Sequence, residues 1–241
     1  MDKLRTIVIF TLVAISVIVL TPFGLTALLL TLLGLGRPMG SATAVIARGW
    51  ARWVIALTGC PFTVTGTEHI PPRGGFCLVA NHNSMFDIVL LLATVGRPFG
   101  FIAKKELAAL PLLNMWILLL GGLFIDRKNI RKAVGSINKG IRRIKNGGAM
   151  VIFPEGTRGK GQGMLPFKSG ALKLATKAGA PIVPVAISGT YDVFEKDRRV
   201  RRVPVSARFA PPVATAGIPG DEKRGALTDQ IYDAINGMLR I

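Results

Sequence analysis

The stretch Val79-Ala80-Asn81-His82-Asn83-Ser84-Met85-Phe86-Asp87 holds the residues best suited to chemistry. A neutral imidazole can take the proton from a hydroxyl as that hydroxyl attacks a carbonyl, general-base help worth about 10²–10⁴ in rate. A carboxylate on the other ring nitrogen fixes the tautomer and steadies the imidazolium. The chain has two histidines, His69 and His82. His69 sits in a linker and reads as a loop histidine, so His82 is the candidate base. Five positions on a regular helix turn by about 140° net, so one continuous helix would not align His82 with Asp87. They meet if His82 lies in the turn before a helix and Asp87 inside it. The other reading of this His-x4-Asp stretch is a capping loop, with Asn81, Asn83 or Ser84 as N-cap and a structural histidine.

Three more polar clusters follow predicted strands: Lys104-Lys105-Glu106, Asp126-Arg127 and Glu155-Gly156-Thr157-Arg158. Arg127 and Arg158 can fork onto phosphate oxygens, and Lys105 can add a point charge. Gly156 lets a backbone approach closely. Glu155 can order an arginine or bind a substrate hydroxyl. Each cluster alone also reads as surface charge or a loop salt bridge.

The elements that must hold these groups alternate in type. Short apolar runs at Phe62–Thr65, Phe76–Ala80, Phe99–Ala103, Leu123–Ile125, Ala149–Phe153, Pro181–Ser188 and Val203–Phe209 read as strands. Helical patterns cover Ile88–Val95, the Val134, Ile137, Ile141, Ile144 stripe, the stretch to Ala178, and the final Leu227, Ile231, Ile235, Leu239 stripe. The alternation predicts an α/β domain with a largely parallel core sheet flanked by helices. In such sheets ligands gather outside the carboxyl ends of the strands, where all four clusters fall.

Of the 241 residues, 50% are hydrophobic, yet the net charge is +18. A hydrophobic, basic chain points to an anionic membrane surface. A basic excess also fits nucleic acid, but neither zinc-finger spacing nor an RNA-binding aromatic signature occurs, so no nucleic-acid partner is expected. Cys60 and Cys77 form no disulfide framework and have no metal spacing. From Thr6 to Gly36 no residue is charged. As one helix that run would be about 46 Å long against a hydrocarbon core of about 30 Å. Pro22 and Gly24 interrupt it, which predicts a membrane hairpin dipping into one leaflet, with a single tilted span as the alternative. The organisation expected is a membrane hairpin at 1–40 and a catalytic domain at 41–241. Ser41 to Gly59 reads as a helix with Ile46, Trp50, Trp53 and Leu57 on one stripe and Arg48 and Arg52 beside it, either at headgroup level or facing the core.

Asn81-His82-x4-Asp87, Gly122-Leu123-Phe124-Ile125-Asp126-Arg127, Phe153-Pro154-Glu155-Gly156-Thr157-Arg158 and Val183-Pro184-Val185-Ala186-Ile187 occur in this order. They resemble the four blocks of the glycerolipid acyltransferase family, the bacterial 1-acylglycerol-3-phosphate acyltransferases in particular. Phe167-Lys168-Ser169-Gly170 fits too, and the apolar N-terminus resembles the family's two-helix membrane motif. Gly159 departs from the pattern, where serine is common, and removes a hydroxyl beside Arg158. The resemblance implies acyl transfer from acyl-CoA or acyl carrier protein to the sn-2 hydroxyl of lysophosphatidic acid, giving phosphatidic acid. His82 would be the base and Asp87 its orienter. Arg127, Arg158 and Lys105 would hold the phosphate, and Glu155, Gly156 and Thr157 would shape the acceptor pocket. It implies no metal or bound cofactor, and a bacterial inner membrane location with the catalytic domain on the cytoplasmic side. Three alternatives stand beside it. The first is the same chemistry on another lyso-lipid such as lyso-ornithine lipid. The second, a Ser84 hydrolase, lacks a Gly-x-Ser-x-Gly elbow. The third is a non-catalytic, basic membrane-binding protein.

Overall fold

The computed structural model describes residues 2–35, 40–126, 129–168, 170–217 and 221–240. Among these the sheet has seven strands: β1 Phe62–Thr65, β2 Phe76–Ala80, β3 Phe99–Lys104, β4 Leu123–Ile125, β5 Ala149–Ile152, β6 Ile182–Ser188 and β7 Val205–Phe209. Their order is β1-β7-β6-β2-β5-β3-β4. The five strands from β6 to β4 are parallel, β7 is antiparallel to β6, and β1 is parallel to β7. The expected α/β architecture with a largely parallel sheet is present. β2 and β5 are buried at every position, which is why their sequences are continuous apolar runs.

Residues on β2 alternate between two cores. Phe76, Leu78 and Ala80 face one, with Ala51 and Ile55 of α2 (Ser41–Thr58), Leu90 and Leu91 of α3 (Phe86–Thr94) and Ile117 of α4 (Leu113–Leu119). Cys77 and Val79 face the other, with Ile141 and Ile144 of α5 (Ile130–Lys145), Leu174 and Ala175 of α6 (Lys173–Ala178), and Leu227, Ile231 and Ile235 of α8 (Asp221–Leu239). A one-turn helix α7, Thr190–Val193, follows β6.

The N-terminus differs from expectation. α1 is a single helix, Asp2–Leu32, with Pro22 inside it, so the chain does not reverse between Thr21 and Leu25. Pro22 removes one backbone N–H. Thr21 and Thr26 also bond back to the carbonyls of Val17 and Pro22 at 2.9 Å each, and the helix continues through the proline. α1 pairs with α2 instead: Trp50 Nε1 donates to Ser16 Oγ at 2.9 Å. Further along, Phe23 stacks on Trp116 of α4 with centroids 6.4 Å apart. A Cβ on Gly24 would lie 2.5 Å from Met115 Cε, so glycine lets the two helices touch.

α2 also turns a different face inward than its tryptophan stripe suggests. Thr43, Ala47, Ala51, Val54, Ile55 and Thr58 are buried, whereas Trp53 is 38% exposed. Arg48 and Arg52 donate to the carbonyls of Val95 and Ala93 at the end of α3, at 2.9 and 3.1 Å. Those carbonyls have no helical partner, and arginine near a helix C-terminus suits the local negative potential.

Candidate active site

Chain topology fixes where the site lies. From β2 the chain crosses to α3 on one face of the sheet, while from the neighbouring β5 it crosses to α6 on the other. Adjacent parallel strands whose connections leave in opposite directions open a crevice at their carboxyl ends. His82 follows β2, and Glu155 follows β5, so both candidates border this crevice.

His82 stands in the loop before α3, and Asp87 in that helix's first turn. His82 Nδ1 lies 2.8 Å from Asp87 Oδ2. The carboxylate accepts, so Nδ1 carries the proton and the Nε2 lone pair is available as a base. Asp87 has 0% side-chain exposure and His82 20%. Such burial is tolerable because Asp87 accepts every bond its oxygens need. The N–H groups of Asn83 and Ser84 donate to Oδ2 at 2.8 and 3.0 Å, and the Thr190 hydroxyl donates to Oδ1 at 2.5 Å. The His82 ring stacks on Phe153 with centroids 4.0 Å apart and planes at 22°. Ser84 Oγ accepts the Phe86 N–H at 3.0 Å, but the N-cap of α3 is Met85, not one of the three residues the capping reading named. Asn81 serves neither purpose. Its buried amide exchanges two bonds with the Ile187 backbone, 2.9 and 2.8 Å long, tying the end of β2 to β6.

Glu155 orders neither an arginine nor an open hydroxyl site. Oε1 accepts the His82 N–H at 2.7 Å and Oε2 accepts the Leu165 N–H at 3.0 Å. Burial pushes its carboxyl above the usual range, and the two N–H bonds oppose this. The Gly159 N–H donates to the His82 carbonyl at 2.8 Å, so the backbone of the histidine is held from both sides. A Cβ on Gly159 would lie 2.6 Å from the Gly163 carbonyl oxygen, so a side chain here would require the loop to shift.

Arg158 pairs with Glu195 Oε1, which also accepts the Met85 N–H at 3.4 Å, while Oε2 of Glu195 is buried with no partner among the described residues. Thr157 is exposed. Gly156 has φ +67°, and a Cβ there would meet Lys168 Cε and Nζ at 3.0 Å, so Lys168 lies across this loop. Lys105 pairs with Asp126 at 2.8 Å, joining the ends of β3 and β4, and this bond raises the lysine's pKa. Arg127 lies outside the described residues. His69 is structural, its Nδ1 2.9 Å from the Phe209 carbonyl. Among the described residues no group of three His, Cys, Asp or Glu side chains converges as metal ligands would.

Sequence reading missed Thr190, Glu195, Phe153 and the Lys168 placement. Thr190 had the same signal as the other site residues, a polar side chain just past a strand. Glu195 had none.

A family model described as Acyltransferase matches residues 61–188, and the chain belongs to this family. The 1-acyl-sn-glycerol-3-phosphate acyltransferase of Borreliella burgdorferi is 33% identical over 153 residues, 64% of this chain and 61% of that protein. The Homo sapiens 1-acyl-sn-glycerol-3-phosphate acyltransferase alpha is 34% identical over 186 residues, 76% of this chain and 65% of that one. The chain thus spans about three fifths of the length of these relatives. The crystal structure of the 1-acyl-sn-glycerophosphate acyltransferase PlsC from Thermotoga maritima is similar with a TM-score of 0.80 and 28% identity, covering 100% of this chain and 97% of that one.

Proposed function

We propose that this chain transfers a fatty acyl group from an acyl thioester to the sn-2 hydroxyl of lysophosphatidic acid, giving phosphatidic acid. The observation that carries this reading is His82. Its Nδ1 is committed to a buried, fully bonded Asp87, and its ring keeps 20% of its surface exposed at the carboxyl edge of the sheet. Nε2 takes the proton as the hydroxyl oxygen attacks the thioester carbonyl. The tetrahedral adduct then expels the thiolate, the C–S bond breaks, and the imidazolium returns the proton to sulfur. Asp87 steadies the charge that His82 carries in between. Arg158 holds the acceptor phosphate, exchanging its bond with Glu195 for phosphate oxygens, and Lys105 and Arg127 add charge. Glu155 acts on the acceptor pocket indirectly, by fixing the backbone of His82 and the loop that bears Gly156 and Thr157. Relatives named for a glycerol-3-phosphate acceptor support phosphate over the lyso-ornithine headgroup.

α1 is long and apolar enough to cross a membrane. In this reading residues 1–40 hold the enzyme at the bacterial inner membrane, where acceptor and product reside, and residues 41–241 work from the cytoplasmic side. The test is acceptor choice by detergent-purified protein: lysophosphatidic acid, monoacylglycerol and lyso-ornithine lipid with one acyl-CoA. Phosphatidic acid should form at least about tenfold faster than diacylglycerol, the worth of one charge-assisted bond. Equal rates on all three would contradict phosphate recognition.

A further inference from the structure

Between Asp126 and Asp192 the chain carries 13 lysines and arginines and one acid, Glu155. That acid is buried, with both oxygens on backbone N–H groups. The surface built by this segment therefore has a single sign of charge. Its main elements are α5 and α6, which meet where Gly140 touches Leu174, a Cβ there lying 2.8 Å from Leu174 Cδ1. Lys139, Arg142 and Lys145 of α5 and Lys173 and Lys177 of α6 are exposed. No carboxylate pairs with any of these five among the described residues. α8, which packs over β6, carries the exposed Asp229 and Asp233 and bounds the cationic face on that side.

Position decides what such a face can meet. α5 and α6 cover the core that contains Cys77 and Val79, on the side of the sheet away from α2 and α4. The apolar α1 docks on α2 and α4, at Trp50 and at Met115–Trp116. A bilayer that holds α1 therefore lies on the other side of the sheet from the five cations. The N-terminal ends of both helices point to the carboxyl edge of the sheet, since each follows a strand that ends there.

We propose that the α5–α6 face docks a soluble acidic protein that carries the acyl thioester, an acyl carrier protein, and so sets the donor. The proposal rests on the acyl-transfer reading above. Like-signed exposed charges raise the encounter rate of an oppositely charged partner by about 10–10³-fold, an effect that salt screens. Free acyl-CoA carries phosphates and feels the same field, but it is too small to make contacts spread across both helices.

The test compares acyl carrier protein and acyl-CoA donors of the same chain length, with lysophosphatidic acid, for the full chain in detergent and for K139E/R142E/K173E/K177E. In the variant, kcat/KM for the carrier-protein donor should fall at least about tenfold, and at least about fivefold more than that for acyl-CoA. The wild-type rate with the carrier protein should drop on raising salt from about 0.05 to 0.3 M more steeply than the acyl-CoA rate. Equal losses with both donors, no loss with either, or wild-type activity with acyl-CoA alone would each overturn the proposal. So would loss of binding to anionic phosphatidylglycerol vesicles with donor kinetics unchanged. Wild type that makes no phosphatidic acid from either donor overturns the acyl-transfer reading itself.

Discussion

At the scale of single residues, the behaviour of His82 is set by groups that never meet substrate. Thr190 reaches Asp87 from 103 positions away in the chain, through a buried 2.5 Å bond. A hydrogen bond to a charged group is worth about 1.5–3 kcal/mol. Thr190→Val should therefore lower kcat by about tenfold or more with KM for the acceptor unchanged, and Thr190→Ser should restore it; steady-state kinetics of the three proteins decides. Glu155 holds the backbone of His82. Burial lifts its carboxyl above the usual range. A carboxyl that binds its proton more tightly when folded favours the fold below the unfolded value, about 4.3. That contribution is lost as pH rises through the folded value. Glu155→Gln removes this pH dependence and turns an amide NH₂ toward one backbone N–H, at a cost of about 1–3 kcal/mol. Thermal unfolding of both proteins between about pH 4 and 8 should show the variant less stable throughout, with the gap narrowing as pH rises.

At the scale of elements, strands were readable because β2, β5 and β6 are buried on both faces and must be apolar along their length. The His82–Asp87 contact was readable as a geometric condition, a loop residue and a first-turn residue, and the chain meets it. The path of α1 was not, since a proline can bend a long helix without ending it, and the contact of Gly24 with Met115 is separated by 91 positions. The inward face of α2 was hidden for a similar reason. Tryptophan looks like core, but small residues such as Ala47 and Ala51 let α2 lie close to α3, and Trp50 packs only at the edge of that core while it bonds Ser16. The Glu195 pairing with Arg158 joins two loops with no shared pattern. In the loop after β5, Gly159→Ser would restore the side chain common in the family. Its Cβ would meet the Gly163 carbonyl at 2.6 Å. The expected result is a loss of about 1–3 kcal/mol in stability, seen as a lower Tm, together with a lower kcat, because the Gly159 N–H bond to His82 must shift.

At the scale of the whole molecule, the sheet separates two tasks. One side carries the apolar helix α1 and its partners α2 and α4; the other carries the cationic helices α5 and α6; the crevice at the carboxyl edge lies between them. Lipid held on one side and thioester delivered on the other would meet at His82. The central claim is that His82 performs the chemistry while α1 does the anchoring. The most direct measurement is phosphatidic acid formation by His82→Ala, set beside its flotation with phosphatidylglycerol vesicles. Vesicle binding should match wild type while turnover falls by at least about 10²-fold. Turnover that survives the substitution would contradict the account.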